Sequence, residues 1–112
     1  MATDNGTLFA EIGALIEAPS VGPTAPTLDR LESTLTTGYA RALSLEAEQH
    51  RLEKRIGEIV GGLTVANRET TADELTTLGQ QLARATADLA RLRTLLVTLR
   101  TRAASVRLAA TA

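Results

Sequence analysis

The chain has 112 residues, a formal net charge of -1 at pH 7 and no cysteine. Disulfides and thiolate metal sites are therefore excluded, and the charge balance argues against a nucleic-acid binder, which normally shows a clear basic excess. Aromatic residues make up 2% of the sequence, with Phe9 and Tyr39 as the large rings. Buried surface must then come from Leu, Ile, Val and Ala, a composition that suits long helices packed along narrow seams.

In chain order, the segment 1–18 comes first. Within residues 7–18, Leu8, Phe9, Ile12, Leu15 and Ile16 have the spacing of a short amphipathic helix with one apolar face. Interfacial membrane helices usually carry Lys or Arg on the polar face, whereas here Glu11 and Glu17 stand there. The five apolar residues are expected to anchor the helix in a groove of a partner protein. Folding back onto its own bundle is the alternative. The start lacks the basic, continuously apolar pattern of a secretory signal, and no stretch approaches the roughly twenty apolar residues of a membrane span. A soluble, cytoplasmic protein is the expectation.

Pro19, Gly22, Pro23 and Pro26 then break any helix, so residues 19–27 read as an extended, semi-rigid tether. Thr27 follows as the expected N-cap, opening a helix that runs over 28–61 to the Gly61-Gly62 pair, itself read as a C-cap. Leu28, Leu31, Leu35, Gly38, Ala42, Leu45, Gln49, Leu52, Ile56 and Ile59 fall at a/d heptad spacing along it. After a connector, Thr71-Ala72-Asp73-Glu74 matches a capping box and predicts a second helix over 72–108. Its seam is Leu75, Leu78, Leu82, Ala85, Leu89, Leu92, Leu96, Leu99, Ala103 and Val106.

Two heptad helices joined by a short link should fold back on each other, because neither seam can be buried alone. Folding about residue 67 pairs Leu31 with Ala103, Leu35 with Leu99, Gly38 with Leu96, Leu45 with Leu89, Gln49 with Ala85 and Leu52 with Leu82. Each small or polar residue then meets an apolar one, as close packing demands. The same register sets Glu32 beside Arg107 and Tyr39 beside Arg100, the latter as a cation–π pair. The predicted fold is all-α: a long antiparallel two-helix coiled-coil hairpin spanning 28–112, with a short N-terminal amphipathic helix. A further line of small residues on the second helix includes Ala83, Ala87, Ala90, Val97 and Ala104, and predicts close approach of another copy to give a four-helix bundle, with helix-compatible filler on an exposed face as the alternative.

The search for chemistry finds little. His50 has no second His or Cys with which to build a zinc site, and it reads as a solvated side chain. The stretch from Ala47 to Glu58 resembles the first long helix of the small all-helical chorismate mutases over roughly a dozen residues. Gln49 stands where that family has a substrate-binding Arg, and Val60 where it has a Lys, so the resemblance implies no activity here. The hairpin is similar in shape to the small secreted WXG proteins, but there is no Trp for their turn motif. It also looks like the acidic-tipped hairpin of transcript-cleavage factors, with Glu69, Asp73 and Glu74 near the turn, although the capping box already accounts for the last two.

The expected function is that of a non-catalytic scaffold or adaptor that self-associates and binds partner proteins, with no cofactor, metal or small-molecule substrate. A second expectation is a membrane-surface or nucleic-acid contact through Arg91, Arg93, Arg100, Arg102 and Arg107, a run without an intervening acid.

Overall fold

The computed structural model describes residues 5–111. Residues 1–4 of the expected N-terminal segment and Ala112 at the end of the expected hairpin lie outside the described residues. Three helices account for the described fold: α1 (Asn5–Glu17), α2 (Leu28–Gly61) and α3 (Arg68–Thr111). The chain is all-α, and α2 and α3 form the antiparallel hairpin. Assembly of hairpins into a bundle is a matter for another copy of the chain.

Helix ends follow local chemistry. Pro19 fixes its own φ and disfavours helix at Ala18, so α1 stops at Glu17. In the tether, Gly22 takes a φ of 98° and its carbonyl accepts from the Ala25 N–H at 3.1 Å, a turn that a side chain would strain. The Thr27 hydroxyl oxygen accepts from the Arg30 N–H at 3.1 Å, as an N-cap does. At the other end of α2, neither Gly61 nor Gly62 has a positive φ. The left-handed C-cap expected of the glycine pair does not form. Instead the Gly62 N–H is shared between the Glu58 and Ile59 carbonyls, and the Asn67 amide donates to the Gly62 carbonyl at 3.2 Å.

The start of α3 corrects the sequence reading. The helix begins at Arg68, four residues before 72, and it extends past 108 to Thr111. Thr64 and Asn67 form the reciprocal pair expected of Thr71 and Glu74. The Thr64 N–H donates to Asn67 Oδ1 at 2.8 Å, and the Asn67 N–H donates to Thr64 Oγ1 at 3.3 Å. Asn67 also offers its carbonyl to the Thr71 N–H at 2.9 Å, so Thr71 already lies within helix and is buried. Glu74 turns to Arg55 at 3.0 Å.

The many threonines fit the long helices because their hydroxyls bond inside them. Thr36, Thr37, Thr76, Thr77, Thr94, Thr98 and Thr101 each donate to the carbonyl four residues back at 3.0–3.3 Å. This satisfies the hydroxyl, although such back-bonding slightly weakens a helix.

The chain divides into two compact units, one comprising the chain up to Ala42 together with Ala90 onward, the other Leu43–Leu89. The first unit is a three-helix arrangement with a buried core of Leu8, Phe9, Ile12 and Leu15 from α1, Leu31, Leu35 and Ala42 from α2, and Leu92, Leu96, Leu99 and Ala103 from α3. Its Gly38 lies against Leu96, and Arg107 pairs with Glu32, both as the expected register requires. The second unit is two-stranded. Leu45, Ala85 and Leu89 are buried, while Leu52, Ile56, Ile59, Leu75, Leu78 and Leu82 are half-buried. Its one polar seam residue, Gln49, donates to the Thr86 hydroxyl at 2.9 Å, next to the predicted partner Ala85.

Candidate interaction surfaces

Leu8, Phe9, Ile12 and Leu15 are buried within the first unit, Ile12 completely, and Ile16 is half-buried. In this structure the five expected partner anchors are covered by their own chain. The physical reason is a second stripe on the hairpin. Buried Thr34 on α2 and half-buried Leu95 and Arg102 on α3 flank the a/d seam, which widens it enough to seat a third helix.

Polar contacts set the direction of α1. Arg41 Nε donates to Asn5 Oδ1 at 2.6 Å, and Arg30 meets Glu11 at 3.2 Å, so α1 runs antiparallel to α2. The Arg91 guanidinium sits 4.8 Å from the centroid of the Phe9 ring. Arg102 Nη1 donates to the Ile16 carbonyl at 2.9 Å, and Nη2 donates to the Ala18 carbonyl. Phe9 beside Arg91 and Ile16 beside Arg102 place α1 parallel to α3. The end of α1 has no basic residue of its own, so Arg102 supplies both the missing carbonyl partners and the positive charge that a helix C-terminus favours. Arg102 Nε is buried without a hydrogen-bond partner. Among the described residues the cation–π contact that forms uses Arg91 and Phe9 rather than the expected Arg100 and Tyr39.

The predicted small-residue line is uncovered. In the second unit Ala83 and Ala87 are exposed; in the first unit Ala90, Val97 and Ala104 are exposed on α3, with Leu108 beyond them. The arginines of the C-terminal stretch are largely engaged within the chain. Arg91 stacks on Phe9, Arg102 holds the end of α1, Arg107 pairs with Glu32, and Arg93 also has an interaction partner.

An open hollow of about 410 Å³ lies beside α3, lined by Ile16, Ser20, Val97, Thr98, Thr101, Arg102 and Ser105. The hydroxyls of Thr98, Thr101 and Ser105 donate to helix carbonyls, and the two Arg102 terminal nitrogens donate to the Ile16 and Ala18 carbonyls. Among the described residues, no group of three or more His, Cys, Asp or Glu could hold a metal ion, and no helix is long and apolar enough to cross a membrane. His50 is exposed.

The fold and these surfaces define a helical-hairpin protein with a docked third helix. Comparison with known protein families, curated proteins and solved structures finds no match.

Proposed function

We propose that the protein is a non-catalytic coiled-coil scaffold or adaptor that holds protein chains together, beginning with copies of itself. One observation carries this reading. On the outer side of α3, Val97 and Leu108 are 53% and 71% exposed, with Ala90 and Ala104 at heptad spacing from Val97. Alanines at such positions let a second helix approach closely, and Val97 supplies apolar surface between them. Two hairpins paired along this line make a four-helix bundle.

Sedimentation velocity of the parent chain and of Ala90→Glu tests the proposal. The parent is expected to sediment as a dimer or larger at tens of micromolar, and Ala90→Glu as a smaller species with unchanged helical circular dichroism. A parent chain that stays monomeric over this range refutes self-association along α3.

A further inference from the structure

We infer that α1 is an exchangeable latch: the groove between α2 and α3 that it fills in its own chain also receives the α1 of a second copy, linking two chains by mutual exchange of this helix. The groove is chemically selective for such an occupant. Arg30, Arg41, Arg91 and Arg102 border it. To these α1 brings Glu11, the Asn5 amide oxygen, the Phe9 ring and the carbonyl of Ile16, and no Lys or Arg of its own. An α1 arriving from another chain makes the same contacts, which is the basis of domain exchange.

Three features allow α1 to leave its own groove. It has no acid in its first turn and no base in its last, and it carries Gly6 and Gly13, so its own sequence favours the helix only weakly. Only four buried apolar side chains oppose the entropy of ordering thirteen residues, a small buried surface for a helix of this length. Opening the tether does not unravel α2, because Thr27 caps that helix from within. Residues 19–24 are exposed throughout. Fully extended, the ten residues from Ala18 to Thr27 reach roughly 30 Å, enough to deliver α1 to a neighbouring chain. The inference rests on the reading of the protein as self-associating but uses a surface apart from the α3 line, and the two can fail separately.

The probe is a fluorescent peptide of residues 5–18, titrated into full-length chains. Gly13→Pro breaks α1 without touching the groove, since a Cβ at residue 13 meets nothing within 4 Å. The Gly13→Pro chain is expected to retain the helical signal of α2 and α3 and to bind one peptide saturably. The parent, whose groove is filled by a tethered α1, is expected to bind at least about tenfold more weakly. Adding Arg102→Ala to Gly13→Pro should weaken capture several-fold. A Gly13→Pro chain that is folded but captures no peptide overturns the inference, as does one whose α2 and α3 melt with α1. In a second arm, Ala90→Glu is warmed towards its melting temperature and cooled at high concentration. Exchange predicts dimers in Ala90→Glu that disappear when Gly13→Pro is added. An Ala90→Glu chain that remains wholly monomeric overturns exchange and leaves association along α3 intact.

Discussion

Gly38 of α2 lies so close to Leu96 of α3 that a methyl group placed on residue 38 would overlap Leu96 Cδ2. Leu96 is itself buried, so its side chain can move aside only by pushing on packed neighbours. Replacing a helical glycine by alanine ordinarily stabilises by about 0.5–1 kcal/mol, whereas overfilling a packed site destabilises by about 1–3 kcal/mol. Gly38→Ala should therefore lower stability. Gly57→Ala and Gly79→Ala, where an added Cβ meets nothing within 4 Å, should raise it. Urea unfolding midpoints of the three variants check the contrast. A gain in all three would mean that residues 38 and 96 do not share a layer.

The turn makes a similar contrast between two candidate caps. Asn67 bonds the Thr64 N–H through its side chain and the Gly62 carbonyl through its amide, while Thr71 lies a turn inside α3. Asn67→Ala should destabilise by about 1 kcal/mol, the usual effect of losing a cap. Removing the Glu74 carboxylate with Glu74→Gln should change stability by less than about 0.5 kcal/mol, because its pairing with Arg55 is exposed. Equilibrium denaturation of both variants decides which residues close the turn.

The heptad seam, the hairpin and the Thr27 cap are legible in the sequence because each depends on local spacing or on one residue's own chemistry, whereas the end of α2 is legible only as a position, since the glycine pair closes it without a left-handed cap. The seating of α1 was harder to see. An amphipathic segment looks the same whether its apolar face meets its own chain or another. A signal for the former existed in Leu95 beside Leu96 and Thr34 beside Leu35, which broaden the stripe beyond a and d where α1 docks. The start of α3 differs from the sequence pattern because Thr71 and Glu74 satisfy the capping box, while Thr64 and Asn67 complete the same geometry earlier and leave Thr71 to be buried. In sequence Arg102 looks like the other C-terminal arginines, since its role depends on carbonyls more than eighty residues away.

The half-covered seam of the second unit has an energetic consequence. Leu92 is 0% exposed in the three-helix unit, whereas Leu82 is half-buried in the two-stranded one. Leu92→Ala should destabilise by about 2–5 kcal/mol, since it leaves a cavity among packed side chains. Leu82→Ala should lose about 1–2 kcal/mol, because less apolar surface returns to water and solvent can fill the gap. Thermal or urea denaturation giving equal losses would contradict the difference in burial.

Because the chain has no cysteine, layer pairing in the second unit can be tested by introducing single pairs. Leu45 and Leu89 are both buried and share a predicted layer. Cysteines at these two positions should form an intramolecular disulfide under mild oxidation, since facing positions lie within bridging distance. A pair at Leu45 and Leu78 is offset by eleven residues along α3 and should remain reduced. Gel mobility under non-reducing conditions separates the outcomes, and bridging of the second pair alone would overturn the register.

Arg102 should matter more to α1 than to the hairpin that carries it. Its terminal nitrogens satisfy the Ile16 and Ala18 carbonyls, two acceptors that α1 and its own exit segment leave without a local cap, and its charge faces the negative end of the helix dipole. Truncation therefore removes charge-assisted hydrogen bonds and strands carbonyls in a half-buried site, a change worth about 1–3 kcal/mol. Because α1 is a short helix joined by a tether, that loss should appear as local opening rather than global unfolding. In Arg102→Ala, amide hydrogen exchange across Asn5–Glu17 should accelerate by about tenfold or more, while Leu45 and Leu89 in the second unit keep their protection. Arg102→Lys should recover part of the effect, since an ammonium restores the charge but does not reproduce the two-pronged geometry. Uniform acceleration through α2 and α3 would instead make Arg102 a core residue of the hairpin.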